Sequence, residues 1–133
     1  MTKRILILTS NPRETTVLDI DIEMREIRET LRRSENRDQF SLEFRVAVRP
    51  KDLRRALLEV KPNIVHFCGH GTGDRAIVLE DEIGDELLVR TKTLTELFKI
   101  VNETDKTIEC LIFNACYSEV QAKEIVKYIR PLA

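Results

Sequence analysis

The chain has 133 residues, of which 42% are hydrophobic and 34% are charged, and its formal net charge is −1. This size and composition are typical of a single soluble domain with one core. The balanced charge gives no reason to expect a nucleic acid or a membrane as a partner, and no apolar run approaches the roughly 20 residues that span a bilayer.

Strand and helix patterns alternate in the first half of the chain. An apolar run at 5–8 predicts a strand that is buried on both faces. Apolar residues then recur at helical spacing over 20–31, with charged residues between them. Alternating apolar and polar residues predict a half-buried strand at 42–48. A further helix is expected to begin at Pro50, where a proline fits the first helical turn, and to stop before Pro62.

The second half continues the alternation. The patterns predict a strand at 64–67, a hairpin of strands at 77–79 and 87–89, a helix at 94–101, a strand at 108–113, and a capped helix from Ser118 until Pro131. Such an order predicts an α/β fold, with a mainly parallel sheet between two layers of helices. Ligands and chemistry in such sheets lie at the carboxyl ends of the strands.

Two reactive side chains, His70 and Cys116, directly follow predicted strands. A cysteine nucleophile requires at least a thiol with an imidazole beside it. The position of Cys116 just before a predicted helix also favours the thiolate form. Gly69 and Gly71 leave the imidazole accessible, and a backbone amide beside them could stabilise an oxyanion. The alternatives are a buried, inert Cys116 and a His70 that only caps a turn.

The same segment also contains residues that could bind a metal. His66, Cys68 and His70 are spaced two residues apart, so on an extended strand they would share one face. No further carboxylate or cysteine pair at ligand spacing completes a four-ligand site, so we expect no metal, and His66 and Cys68 should pack in the core. Cys110, in the middle of a predicted strand, should also be a core residue. The sequence has no phosphate-binding loop, and we expect no cofactor.

The number and spacing of the cysteines indicate the cellular compartment. Three cysteines form an odd count without the spacing of a disulfide framework. The amino terminus leads directly into a strand pattern, with no visible signal peptide. We therefore expect a cytoplasmic protein.

Two segments together resemble a known family. His66-Phe67-Cys68-Gly69-His70-Gly71 and Asn114-Ala115-Cys116-Tyr117-Ser118 are similar to the paired signature of CHAT-domain proteins. These are bacterial members of the caspase-like cysteine peptidase group. Shorter stretches at 5–13, 47–53 and 79–81 also match, so the resemblance covers about 3–128. It implies a caspase-like sheet in which the histidine loop is followed by a small hairpin.

The resemblance also implies roles for individual residues. Cys116 would be the nucleophile, and His70 would be the general base or the ion-pair partner of the thiolate. The backbone amides of Gly71 and Cys116 would form the oxyanion hole. The implied reaction is hydrolysis of a peptide bond through a thioester, with a protein or peptide as substrate.

The family's domain continues beyond the last helix predicted here, and that further half supplies strands and much of the specificity pocket. We therefore expect residues 1–133 to form one caspase-like domain that lacks the last part of the fold. The alternative function is a catalytically incomplete interaction or signalling module that self-associates or binds a partner. An open sheet edge favours a homodimer or pairing with a complementary chain.

Overall fold

The computed structural model describes residues 2–10, 20–46, 49–71 and 76–114. Its elements, in chain order, are β1 (Lys3–Thr9), α1 (Ile20–Arg33), a short 3-10 helix (Arg37–Gln39), β2 (Phe40–Arg45), α2 (Pro50–Val60), β3 (Ile64–Cys68), β4 (His70–Gly71), β5 (Ala76–Glu80), β6 (Glu86–Arg90), α3 (Thr91–Asp105) and β7 (Cys110–Asn114). The strand–helix order agrees with the sequence patterns.

A parallel sheet forms the centre of the molecule. Its strand order is β2-β1-β3-β7, and every neighbouring pair is parallel. After β1, the chain adds β2 on one side and then β3 and β7 on the other side. The direction of strand addition therefore reverses between β1 and β3. Open α/β sheets bind ligands at such a switch point. Strands β4, β5 and β6 form a separate antiparallel sheet.

Helices cover both faces of the parallel sheet. On one face, side chains of β1 and β3 join α2, α3 and the hairpin in one apolar cluster, whose buried members include Leu6, Leu8, Leu57, Val65, Phe67, Ile77, Phe98 and Val101. On the other face, α1 contacts the sheet through Glu23 at His66 and through Arg28, whose guanidinium lies 4.4 Å from the centre of the Phe44 ring. The predicted α/β fold with a mainly parallel sheet between helices is confirmed.

The amino ends of three strands are joined at Asn63. Its side-chain oxygen accepts the backbone N–H of Arg4 at 2.8 Å, and its own backbone N–H donates to the Arg4 carbonyl at 2.9 Å. Its backbone carbonyl accepts the N–H groups of Glu109 and Cys110, at 2.7 and 3.2 Å. Asn63 therefore links β1 and β3 to the start of β7.

That contact explains one difference from the predicted boundaries. The strand expected at 108–113 begins at Cys110, because the N–H groups of Glu109 and Cys110 converge on the single Asn63 carbonyl. Ile108, which precedes the strand, is nevertheless buried. The strand expected at 42–48 begins at Phe40 and ends at Arg45.

Helix α2 has a well-defined start and end. Pro50 occupies its first turn, and the Asp52 carboxylate accepts the backbone N–H of Arg49 at 3.0 Å. The helix ends at Val60, and the next residue, Lys61, caps it with a left-handed backbone at φ 50°. Both limits agree with the helix predicted between Pro50 and Pro62.

The helix predicted after Ser118 lies outside the described residues. Among the helices that the structure describes, none has the length and apolar character needed to cross a membrane.

Candidate active site

The carboxyl ends of three parallel strands lie side by side at the switch point. Thr9 of β1 is the register partner of Cys68 of β3, and Cys68 is the register partner of Asn114 of β7. Thr9 and Cys68 are both buried. Because neighbouring strands are about 4.8 Å apart, the segments that leave β3 and β7 start from adjacent points.

Both predicted catalytic residues follow this register pair by two positions. His70 comes two residues after Cys68, and its backbone pairs with Val78 in the antiparallel sheet. Cys116 comes two residues after Asn114 and lies outside the described residues. The adjacency of the two strand ends is therefore a finding, whereas contact between His70 and Cys116 stays a prediction.

The turn between β3 and β4 is tightly packed at Gly69. A Cβ atom at this position would lie 2.8 Å from Cζ of Phe67 and 3.1 Å from the backbone oxygen of Ser10. Only a residue without a Cβ fits there without displacing a neighbour. Gly71, the predicted oxyanion-hole residue, pairs with Ile77, so its backbone is held by the hairpin. Its role as a donor stays a prediction.

Ser10 is a residue at this edge that the sequence patterns did not single out. It is fully buried, and its backbone N–H donates to the Cys68 carbonyl at 3.1 Å, which extends the contact between β1 and β3. Its hydroxyl oxygen has no hydrogen-bond partner among the residues described. The sequence signal was only the turn that follows it.

A second group of reactive side chains lies on the α1 face of the sheet. His66 and Cys68 share that face, and α1 brings Glu23 to them. One ligand atom from each residue lies within 4.8 Å of the other two. We call this set the Glu23 cluster. The sequence predicted that His66 and Cys68 share a face but missed Glu23. The available signal was that Glu23 lies three residues after Ile20 and four before Ile27, on the apolar stripe of α1.

The environment of Cys68 makes it a poor nucleophile. Burial raises the pKa of its thiol to about 12, and the negative charge of Glu23 and a hydrogen bond to that carboxylate act in the same direction. The thiol therefore stays protonated at neutral pH, and the thiolate is the reactive form. Cys68 is buried, as expected. Cys110 differs from expectation, since it is the first residue of β7 and only partly buried.

A groove of about 490 Å³ lies between α2, the β5–β6 turn and the carboxyl end of β2, where Arg45 and Val46 contribute to its lining. Its charged lining includes Arg49, whose guanidinium donates to Glu82 at 2.6 Å, and Asp52. Lys51 also pairs with Glu82, at 3.0 Å. Arg49 pairs with both Asp52 and Glu82, so these charges of opposite sign in the groove are paired with one another.

These features define an α/β protein whose parallel sheet, switch point and histidine-bearing turn are consistent with the caspase-like fold. The family model of the CHAT domain matches residues 2–129, and the chain belongs to this family. The predicted family resemblance is confirmed.

Two curated relatives are named as proteases. A "Probable protease" from Gillisia limnaea is 25% identical over 126 residues, which cover 95% of this chain and 22% of the relative. A "Roc-COR-CHAT protease" from an unknown prokaryotic organism is 22% identical over 131 residues, which cover 96% of this chain and 12% of the relative. The chain thus spans less than a quarter of the length of either protein.

Proposed function

We propose that this chain carries the Cys116–His70 dyad of a caspase-like cysteine endopeptidase. The observation that carries the proposal is the register pairing of Cys68 with Asn114. It gives the segments that lead to His70 and Cys116 adjacent starting points at the carboxyl edge of the sheet. Membership of the CHAT family and the protease names of the relatives support the same assignment.

In the proposed reaction, the sulfur of Cys116 attacks the carbonyl carbon of a peptide bond while His70 accepts the thiol proton. The backbone N–H groups of Gly71 and Cys116 hold the negative oxygen of the tetrahedral intermediate. His70 then donates its proton to the leaving amine, and a thioester remains on Cys116. Water, deprotonated by His70, attacks the thioester, releases the carboxylic acid and restores the thiol.

The described part of the chain supports Cys116 as the nucleophile by comparison with the other two cysteines. Cys68 is buried and has a raised pKa, so its thiol is both inaccessible and protonated. Cys110 begins β7 and Asn114 ends it. Along a strand, that separation places Cys110 about 13 Å from the carboxyl edge. Of the three cysteines in the sequence, Cys116 alone comes after the last residue of a parallel strand, since Cys68 is the last residue of β3 and Cys110 is the first of β7.

The backbone around the proposed catalytic residue His70 is held in place by strand pairing and by packing. His70 lies between the buried end of β3 and the hairpin, and its backbone pairs with β5. Packing of Gly69 against Phe67 and Ser10 fixes the turn that precedes it. A catalytic base needs such support, because small displacements from productive geometry lower the rate strongly.

The proposed substrate is a protein or peptide, and the proposed compartment is the cytoplasm. Cys68 and Cys110 are both free thiols in the structure. Free thiols are typical of a reducing compartment.

Cleavage of a peptide library, with new amino termini read by mass spectrometry, tests the proposal. We expect cleavage by the unchanged chain and by Cys110→Ser, and a loss of at least 100-fold in Cys116→Ala and His70→Ala, on the order of general base and nucleophile contributions. Circular dichroism on each variant verifies the fold. Equal cleavage by Cys116→Ala, or no cleavage by a correctly folded unchanged chain, would contradict the proposal.

A further inference from the structure

We propose that Glu23, His66 and Cys68 form a binding site for a divalent transition-metal ion of the zinc class, on the α1 face of the sheet. Their three ligand atoms, a carboxylate oxygen, an imidazole nitrogen and a sulfur, all lie within 4.8 Å of one another. The site uses none of the residues of the proposed dyad.

The contact between Glu23 and His66 has the spacing of two metal ligands. Nε2 of His66 lies 3.5 Å from Oε1 of Glu23, and it is buried without a hydrogen-bond partner among the described residues. Tetrahedral zinc, with bonds of about 2.0 to 2.3 Å, separates its ligand atoms by about 3.3 to 3.8 Å. The observed distance falls in that interval, and it is longer than a good hydrogen bond.

The three ligand atoms need to move only a short distance to coordinate an ion. The largest separation in the Glu23 cluster is at most 4.8 Å, so closing around an ion requires movements of about 1 Å. The Glu23 side chain can supply this movement, because it has several rotatable bonds and keeps 30% of its surface exposed. The His66 and Cys68 side chains can also rotate about their own bonds, while their backbones stay on β3.

The donor set selects the class of metal. A thiolate and an imidazole favour zinc and related transition metals over magnesium and calcium, which prefer oxygen ligands. A thiolate and a carboxylate together balance the two positive charges of the ion, so the filled site is formally neutral, as suits its partly buried position. Three protein ligands leave a fourth position for water or another group.

The sequence argued against a metal because the ligands on β3 lacked a complementary carboxylate. The structure supplies that carboxylate from α1, 43 residues earlier in the chain than His66. A bound ion would tie α1 to the end of β3, two residues before His70. The expected role is therefore to fix the strand that leads to the histidine, with no part in bond cleavage.

Cobalt(II) is the probe for this site, because tetrahedral cobalt with a thiolate ligand has characteristic visible and near-ultraviolet bands. The titration uses the metal-free full chain carrying Cys110→Ser and Cys116→Ala, in which Cys68 is the only thiol. We expect one equivalent of cobalt to produce the thiolate band and zinc to abolish it. Because Cys116 is absent, the result does not depend on the proposed peptidase function.

Variants of each ligand complete the test. Cys68→Ser and His66→Gln should lose the thiolate band, and Glu23→Gln should weaken binding at least 10-fold, as loss of one ligand does. Glu26→Gln, on an exposed face of the same helix, is the matched control and should bind as before. If Cys68→Ser does not fold, the two variants at His66 and Glu23 decide the question. No thiolate band at saturating cobalt, or an unchanged band in His66→Gln, would overturn the proposal.

Discussion

Cys68 and Asn114 face each other as register partners at the carboxyl ends of β3 and β7. The pairing starts at Ile64 and Cys110, so the two strands end level with each other. Because the two strands end at the same level, proton transfer between His70 and Cys116 is geometrically reasonable although the two residues are 46 positions apart in the sequence. A shift of one residue in the register would turn the alternating side chains of one strand to the other face.

Gly69 should be sensitive to the smallest side chain. In Gly69→Ala, the new Cβ would meet the buried Phe67 ring at 2.8 Å and a backbone oxygen of Ser10 at 3.1 Å. We expect a loss of about 1 to 3 kcal/mol in the free energy of unfolding, as overpacking causes. Urea denaturation measures this change.

A double variant separates the two contacts at Gly69. Phe67→Leu shortens the side chain that meets the added methyl group and leaves the Ser10 contact in place. The cost of Gly69→Ala should therefore be smaller, though not zero, when it is measured in the Phe67→Leu background. An equal cost in both backgrounds would show that the Phe67 ring does not resist the substitution.

Asn63 should be important for stability although it is far from the carboxyl ends of the strands, where the candidate site lies. In Asn63→Ala, the Arg4 N–H would lose its acceptor at 2.8 Å, and the Thr107 carbonyl would lose a donor at 3.2 Å. Loss of partly buried hydrogen-bond partners of this kind lowers the free energy of unfolding by about 1 to 3 kcal/mol. Asn36→Ala, at an exposed position whose side chain caps nothing, is the control and should change stability by less than about 0.5 kcal/mol. Thermal unfolding of both variants checks this; equal stabilities would count against the linking role of Asn63.

The start of α2 should make a pH-dependent contribution to stability. The hydrogen bond from the Arg49 side chain holds the pKa of Asp52 below its ordinary value of 3.8. A lowered pKa in the folded state stabilises the protein fully above pH 3.8, and that contribution is lost as the pH falls through the folded pKa. Asp52→Asn should therefore cost about 1 kcal/mol at neutral pH, and its difference from the unchanged chain should shrink below about pH 4.

Glu82→Gln is the matched control for Asp52, because Glu82 binds the same Arg49 guanidinium from an exposed position. Exposed ion pairs contribute little, so this change should leave the free energy of unfolding nearly unchanged at any pH. Denaturant titrations at a series of pH values compare the two variants. A pH-independent difference for Asp52→Asn would refute the link between its carboxylate and helix stability.

Much of the fold could be predicted because local patterns and long-range packing agree. The apolar run at 5–8 is central in the sheet, and the proline at residue 50 begins a helix as expected. The hairpin after the histidine turn also forms where turn residues separate two apolar runs. In each case the period of the apolar residues matches the surface that the element buries.

The sequence was least informative where single polar residues act across the chain. Nothing local indicates that Asn63 joins three strand ends. The place of Glu23 on the apolar stripe of α1 indicates that it is turned toward the sheet, but not that it reaches His66 and Cys68, because such contacts depend on which elements become neighbours. The boundary of β7 was wrong for the same reason, since it is set by hydrogen bonds to Asn63. The proposed roles of His70, Gly71 and Cys116 depend on the family resemblance as well as on position.

The most direct test of the account is labelling with a peptide-based electrophile that forms a covalent bond to cysteine, read by intact mass. Cys68 and Cys110 serve as internal controls in the same molecule. We expect a single label on Cys116, which is lost in Cys116→Ala and strongly slowed in His70→Ala. Equal reaction of all three cysteines, or labelling of His70→Ala at the rate of the unchanged chain, would contradict it.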